Sequence, residues 1–159
     1  MTFKQSLSRA ARVLSPGVSD GAMPPRCVSE VMTHDVVSLL PSQSFAEAFG
    51  VMANRPFRHV PVINVDGRLA GVISDRDLLR VMGGTNNWKT KTVEQIMTRD
   101  VLTVTPGTLL SIAVKEIVAR RINCLPVVDE SEKVCGIVTS TDLLSAFEKL
   151  QASLERVTS

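Results

Sequence analysis

The sequence predicts an α+β fold built from tandem β-α-β-β-α repeats that pack sheet to sheet about a pseudo-two-fold axis. Residues 28–82 and 93–147 carry the same motifs at a constant offset of 65: Met32-Thr33 returns as Met97-Thr98, and Asp77-Leu78-Leu79 returns as Asp142-Leu143-Leu144. A period shared by a whole unit indicates a duplicated supersecondary element. One unit of about 55 residues is marginal alone, so we expect the two copies to bury their open sheet faces against each other.

The first two elements of each repeat are a strand and a helix. Residues 36–40 and 101–105 favour a strand that ends at a proline in both copies. Ser44 and Glu47 have the spacing of a capping box at the start of the helix that follows. Apolar residues then recur with helical spacing at Phe45, Ala48, Phe49 and Met52, and again at Leu110, Ala113, Val114 and Ile117.

Two short strands and a second helix complete each repeat. The strands are predicted at 59–64 and 69–74, and at 124–129 and 134–139. Asp66-Gly67 turns the first pair and residues 130–133 turn the second. The last helix is expected to start near Asp75 and near Ser140, and good helix formers after Phe147 extend it.

These elements divide the chain into five parts. Residues 1–27 form a basic N-terminal extension, with a predicted amphipathic helix over 1–14 and a linker rich in proline and glycine over 15–26. Repeat one covers 28–82, a linker covers 83–91, repeat two covers 92–147, and a helical extension with a tail covers 148–159. We interpret the two repeats as one compact module.

Composition excludes several classes of function. The 159 residues carry a net charge of +2. Residues 1–27 carry +3, so the rest of the chain carries −1 and has no basic stripe that would bind nucleic acid. Aromatic residues make up only 4%, too few for base-stacking platforms. No apolar run approaches the roughly 18–20 residues of a membrane span. Three cysteines without a CxxC spacing predict a reducing, cytoplasmic location and no metal site.

A hydroxyl–carboxylate motif closes the third strand of both repeats. Gly71 and Gly136 each open a Gly-x-x-[Ser/Thr]-x-x-Asp-Leu-Leu segment that spans a strand-to-helix turn. Free N–H groups at a helix start attract phosphate, and an Asp carboxylate can accept from both hydroxyls of a ribose. The alternative is structural: the hydroxyls are helix N-caps, and the aspartates favour the helix dipole.

Together with Met-Thr at the start of each repeat and Pro61-Val62 and Pro126-Val127 in the middle, this motif resembles the cystathionine β-synthase (CBS) domain family over residues 28–147. The resemblance implies a CBS pair whose shared cleft holds two pockets for adenosine-type ligands. It implies ribose contacts at Asp77 and Asp142. The other ligand-binding positions that it implies are Ser38, Phe57, Arg58, His59, Ser74, Arg76, Thr103, Ile122, Asn123, Cys124, Thr139 and Thr141.

The two pockets are expected to differ in charge. Repeat one offers Arg55, Arg58, His59 and Arg76, whereas repeat two offers Arg120 and Arg121. A solvated strand edge is the alternative interpretation for Arg58 and His59.

No Ser-His-Asp set, Walker lysine loop or GxGxxG segment is present, so we expect no catalysis and no required cofactor. The leading hypothesis is a stand-alone regulatory module that senses AMP, ADP, ATP, NAD or S-adenosylmethionine and signals by a change of conformation or of a homodimer. Leu78, Leu79, Leu143, Leu144 and Phe147 are either the dimer contact or internal core.

Two other hypotheses remain open. One is an interaction or dimerisation adaptor with a vestigial cleft, whose residues 1–27 would dock on an acidic, unknown protein partner, cover the cleft or swap between protomers. The other is a redox or metal sensor that uses Cys124, Cys135 and His59.

Overall fold

A computed structural model describes residues 23–84 and 86–157. The helix predicted over 1–14 lies outside the described residues. Repeat one contains α1 (Phe45–Ala53), β1 (His59–Ile63), β2 (Leu69–Ser74) and α2 (Asp75–Gly84). Repeat two contains α3 (Val93–Ile96), α4 (Leu110–Arg120), β3 (Cys124–Val128), β4 (Val134–Thr139) and α5 (Ser140–Val157). The α+β class is confirmed, and α5 extends well past Phe147 as predicted.

Each repeat has a two-stranded antiparallel sheet, with Val60 opposite Ile73 in one and Leu125 opposite Val138 in the other. The strands expected at 36–40 and 101–105 are much shorter than predicted. Only Leu39 and Val104 bridge, each in parallel to the middle of the neighbouring strand. The residue two positions further along is a proline in both copies, and because proline has no N–H, the ladder stops there.

The capping box at Ser44 forms as predicted. The Ser44 Oγ accepts from the backbone N–H of Glu47 (3.2 Å), and the Glu47 carboxylate accepts from the backbone N–H of Ser44 (2.7 Å). Phe45, Ala48 and Met52 are buried on the core side of α1. Phe49, predicted for the same face, lies at its edge and is 46% exposed.

The segments that open the repeats exchange places. Val28 packs in the core of repeat two, whereas Val93 and Met97 pack in the core of repeat one. Thr33 and Ile137 exchange two backbone hydrogen bonds, and so do Thr98 and Val72. Each Met-Thr segment therefore adds a bridge to the outer edge of the other repeat's sheet, which ties the halves together.

This crossing explains the glycine of the repeated motif. A Cβ on Gly71 would lie 2.5 Å from the Thr98 carbonyl oxygen and 2.9 Å from the Met97 Sδ. A Cβ on Gly136 would lie 2.7 Å from the Met32 Sδ. Only a residue without a side chain lets the opposite repeat pass so close to the strand.

The two sheets meet through a small apolar cluster formed by Val72, Cys124 and Ile137, with Val36 and Val101 packed against it. At the hairpin tips, the Arg68 guanidinium pairs with the Glu132 carboxylate across the repeats (2.8 Å). Within the described residues, we find no helix with the length and apolarity that crossing a bilayer requires.

Candidate functional site

Two cavities lie on either side of the cluster between the sheets. The first, of about 910 Å³, is lined by Asp142 and is called here the Asp142 cavity. The second, of about 730 Å³, is lined by Asp77 and is called the Asp77 cavity. Both volumes fall in the range of small-molecule sites. His59, Arg76 and Asn123 line both cavities, so the two are neighbours with a shared wall.

Each cavity combines parts of both repeats. Phe57 and Arg58 of repeat one face Thr139, Thr141 and Asp142 of repeat two in the Asp142 cavity. The Asp77 cavity is lined from repeat one by Ser74 and Asp77, and from repeat two by Thr103, Ile122, Cys124, Arg120 and Arg121. The sequence suggested that each pocket takes its arginines from one repeat. The structure differs, because Arg120 and Arg121 of repeat two line the cavity that contains Asp77 of repeat one.

Two expected side chains lie elsewhere. Ser38 does not line the Asp142 cavity, although its counterpart Thr103 lines the Asp77 cavity. Val36 and Val37 supply that part of the wall instead. Arg55 lines neither cavity, whereas its counterpart Arg120 lines the Asp77 cavity.

The hydroxyl and the carboxylate of each motif are hydrogen-bonded to each other. The Asp77 Oδ2 accepts from the Ser74 Oγ (2.6 Å) and from the Ser74 backbone N–H (2.8 Å). The Asp142 Oδ2 accepts from the Thr139 Oγ1 and the Thr139 backbone N–H, both at 2.7 Å. In both repeats, therefore, the hydroxyl residue caps the helix that follows, as the structural alternative predicted. This cap uses one carboxylate oxygen of each aspartate.

The second carboxylate oxygen distinguishes the two sites. The Asp77 Oδ1 accepts from the Arg80 guanidinium (3.2 Å), and Asp77 is 8% exposed. The residue that corresponds to Arg80 in repeat two is Ser145. Within residues 23–84 and 86–157, no hydrogen bond or ion pair is found at the Asp142 Oδ1.

Backbone bonds hold the loop before the central strand against the following helix. The backbone N–H of Asp75 donates to the Arg58 carbonyl (3.1 Å), and that of Ser140 donates to the Asn123 carbonyl (3.0 Å). The same bond in both repeats brings the loop residues 57–59 and 122–124 beside the helix starts.

Burial sets the protonation of two residues in the cavity walls. Desolvation lowers the pKa of His59 below its usual value, partly opposed by Asp75, so the imidazole is neutral at neutral pH. Desolvation also raises the pKa of the Cys124 thiol to about 11. Cys124 therefore behaves as a small apolar residue between the sheets.

The sequence reasoning missed several polar lining residues, namely Thr33, Asp35, Asp75, Arg80, Thr98, Asp100 and Ser140. A signal existed for two of them, since Asp35 and Asp100 follow Met-Thr at the same distance in both repeats. In the part of the chain that the structure describes, no three His, Cys, Asp or Glu side chains cluster as a metal site.

Comparison with known proteins places both repeats in one family. The CBS domain model matches residues 28–84 and 93–149. The chain is 35% identical over 116 residues to a homoserine O-acetyltransferase of Methanococcoides burtonii, and 32% identical over 131 residues to the uncharacterized protein MJ1225 of Methanocaldococcus jannaschii. These matches cover 73% and 76% of this chain, but only 23% and 46% of the respective relatives.

Solved structures show the same architecture. The CBS domain pair of protein MJ0100, in complex with 5′-methylthioadenosine and S-adenosyl-L-methionine, superposes with a TM-score of 0.71 at 28% identity and covers 78% of this chain and 98% of its own. CBSX2 in complex with AMP gives a TM-score of 0.71 at 27% identity, with 80% and 99% coverage.

Proposed function

This chain belongs to the CBS domain family, and from that premise we propose that it is a regulatory module that binds adenosine-type nucleotides in its two cavities. The observation that carries the proposal is the pair of cavities of nucleotide size, each with a hydroxyl–carboxylate motif at a helix start. The adenosine ligands held by the CBS pairs of MJ0100 and CBSX2 support it.

The proposed roles follow the residues that line the cavities. Asp142 and Asp77 accept hydrogen bonds from ribose hydroxyls. Thr139, Thr141, Ser74 and Arg76 contact the ribose or phosphate groups. The base lies against the loop residues Phe57, Arg58 and His59 in one cavity and Ile122, Asn123 and Cys124 in the other, with Thr103 nearby.

Calorimetry with AMP, ADP, ATP, NAD, S-adenosylmethionine and 5′-methylthioadenosine tests the proposal. In the Asp142→Asn variant the amide oxygen still accepts from Thr139, so the helix cap survives while the negative charge is lost. We expect binding of the preferred ligand to weaken about ten- to a hundredfold, because a charge-assisted hydrogen bond contributes about 1.5–3 kcal/mol.

Glu148→Gln is the matched control, because Glu148 is an exposed carboxylate on the same helix, away from both cavities. Absence of binding by every compound to ligand-free wild-type protein would refute the proposal. Equal affinities of the Asp142→Asn and Glu148→Gln variants would refute the assigned ribose contact.

The signal is proposed to pass through a homodimer. Leu78 is buried core, and Leu143 packs against the core of repeat two, so neither is available for a dimer contact. Leu79, Leu144 and Phe147 are 64%, 67% and 56% exposed. Contact of these side chains with the same side chains of a second copy would make an isologous interface.

Leu79 also lines the Asp142 cavity, which links ligand occupancy to this surface. In sedimentation equilibrium, the double variant Leu144→Ser/Phe147→Ser should shift the protein to monomer. Val118→Ser, which removes a 70% exposed apolar residue from α4, should leave the association unchanged. A monomeric wild-type protein would refute the proposed dimer.

A second candidate function is an adaptor that binds a protein partner through the same exposed face. The three exposed apolar side chains on α2 and α5 favour it. If the protein still binds its partner when both Asp77 and Asp142 are replaced by asparagine, the adaptor function does not depend on ligand binding in the cavities.

The reducing compartment expected from three free cysteines supports a cytoplasmic site of action.

A further inference from the structure

We propose that the two cavities bind different ligands: the Asp77 cavity takes an adenosine compound with a polyphosphate chain, and the Asp142 cavity takes one whose 5′ substituent is uncharged or cationic. This inference rests on the proposed function, and it deepens it by assigning a ligand class to each cavity.

The charged side chains of the two walls differ in number and sign. Four arginines (Arg76, Arg80, Arg120 and Arg121) and two aspartates (Asp77 and Asp100) line the Asp77 cavity. Two arginines (Arg58 and Arg76) and three aspartates (Asp35, Asp75 and Asp142) line the Asp142 cavity. One wall is therefore net positive and the other net negative, with His59 neutral in both.

Three unequal positions in the repeats produce this difference. Arg121 corresponds to Pro56, Arg80 corresponds to Ser145, and Asp75 corresponds to Ser140. The helix starts and their free N–H groups are related by the pseudo-symmetry, so the backbone contributes similarly to both sites. The side chains decide which site attracts negative charge.

The ion pairs leave Arg76 and Arg121 as the cations available to a ligand in the Asp77 cavity, and of these two Arg121 does not line the Asp142 cavity. Arg80 is held by Asp77 (3.2 Å), and Arg120 is held by Glu116 (2.7 Å). No ion pair of Arg121 is found among the described residues. A left-handed backbone (φ 54°) at the end of α4 sets the direction of its side chain into that wall. A phosphate chain is the natural partner for such a guanidinium.

The carboxylates of the Asp142 cavity favour a ligand whose 5′ substituent is uncharged or cationic. The Asp142 Oδ1 is open to ribose hydroxyls, whereas the Asp77 Oδ1 already accepts from Arg80. Arg58 lines the Asp142 cavity but not the Asp77 cavity, and its Nε lies 3.9 Å from the Asp75 Oδ2, so these two opposite charges partly offset each other. With Asp35 in the same wall, added negative charge is repelled and a cationic substituent is attracted.

Calorimetry of the full chain with ATP, tripolyphosphate, 5′-methylthioadenosine and S-adenosylmethionine tests the assignment. Arg121→Gln should weaken ATP and tripolyphosphate about tenfold and leave 5′-methylthioadenosine unchanged. Lys115→Gln, which removes an exposed charge outside both walls, is the matched control. Asp142→Asn should weaken 5′-methylthioadenosine about tenfold or more and ATP less than about twofold.

The outcomes separate this inference from the proposed function. If adenosine compounds bind but Arg121→Gln weakens ATP and 5′-methylthioadenosine alike, or weakens neither, the division of ligands is refuted and the proposed function stands. If tripolyphosphate alone binds, and does so through Arg121, the proposed function fails while the anion site of the Asp77 cavity is supported. Trp88 fluorescence of each variant checks that the fold is retained.

Discussion

Replacement of Gly71 by alanine tests the exchange of segments between the repeats. The added methyl would lie 2.5 Å from the Thr98 carbonyl oxygen, a backbone atom that cannot rotate away. Relief requires the crossing segment to move, which disrupts the two 2.9 Å backbone bonds between Val72 and Thr98. Overpacking costs about 1–3 kcal/mol and each lost bond about 0.5–1.5 kcal/mol.

We therefore expect Gly71→Ala to lower the free energy of unfolding by about 3 kcal/mol, or the melting temperature by roughly 6–12 °C. Gly136→Ala should cost less, about 1–2 kcal/mol, because the nearest atom is the flexible Met32 Sδ at 2.7 Å. Urea unfolding followed by circular dichroism and by the fluorescence of Trp88 measures both.

Gly50→Ala is the matched control. Gly50 lies inside α1, and among the described residues no atom beyond its chain neighbours and the backbone of its own helix lies within 4 Å of the place that an added methyl would take. Alanine should therefore stabilise the protein by about 0.5–1 kcal/mol. If Gly71→Ala unfolds at the same urea concentration as Gly50→Ala, the crossing of residues 97–98 over β2 is refuted.

Three further predictions concern titration and the hairpin tips. Because the unfolded state binds a proton at His59 below roughly pH 6.5, stability should fall on acidification from that pH through the lower folded pKa, and His59→Gln should flatten that slope. The Cys124 thiol ionises near pH 8.5 when unfolded but at about 11 when folded, so stability should fall as the pH rises through that window, and iodoacetamide should alkylate Cys124 only after unfolding. A double-mutant cycle on Arg68 and Glu132, more than half exposed, should give at most about 1 kcal/mol.

Elements with strong local patterns were predictable from the sequence. The apolar spacing of α1, the capping box at Ser44 and the Asp66-Gly67 turn require contacts only within a few residues of each other. The predicted helices and hairpins therefore agree with the structure within one or two residues, whereas α3 (Val93–Ile96) was not predicted. The first strands were overestimated because β propensity at 36–40 and 101–105 does not count prolines, which have no N–H to donate. Pro41 and Pro106 end the pairing on one side of Leu39 and Val104, and Pro61 and Pro126 of the neighbouring strands end it on the other.

The candidate site was predictable in its residue types and not in its grouping. Every predicted position except Ser38 and Arg55 lines one of the two cavities. What the sequence did not reveal is that Asp142 faces Phe57 and Arg58, or that Asp77 faces Arg120 and Arg121. These pairs are separated by tens of residues, and only the packing of one sheet on the other brings them together.

The amino-acid order alone determined the duplication, the element types and the hydroxyl–carboxylate motif, because all of these depend on local spacing that occurs in both repeats. The same repeated motifs carry the resemblance to the CBS domain family. The three-dimensional packing decided that residues 28–33 complete the second repeat and residues 93–98 the first. It also decided which arginines share a cavity with which aspartate. The physical reason is that each small apolar sheet face is removed from water only when it packs against the other, which stabilises the fold. The opening segment of each repeat can then pair with the exposed sheet edge of the other repeat.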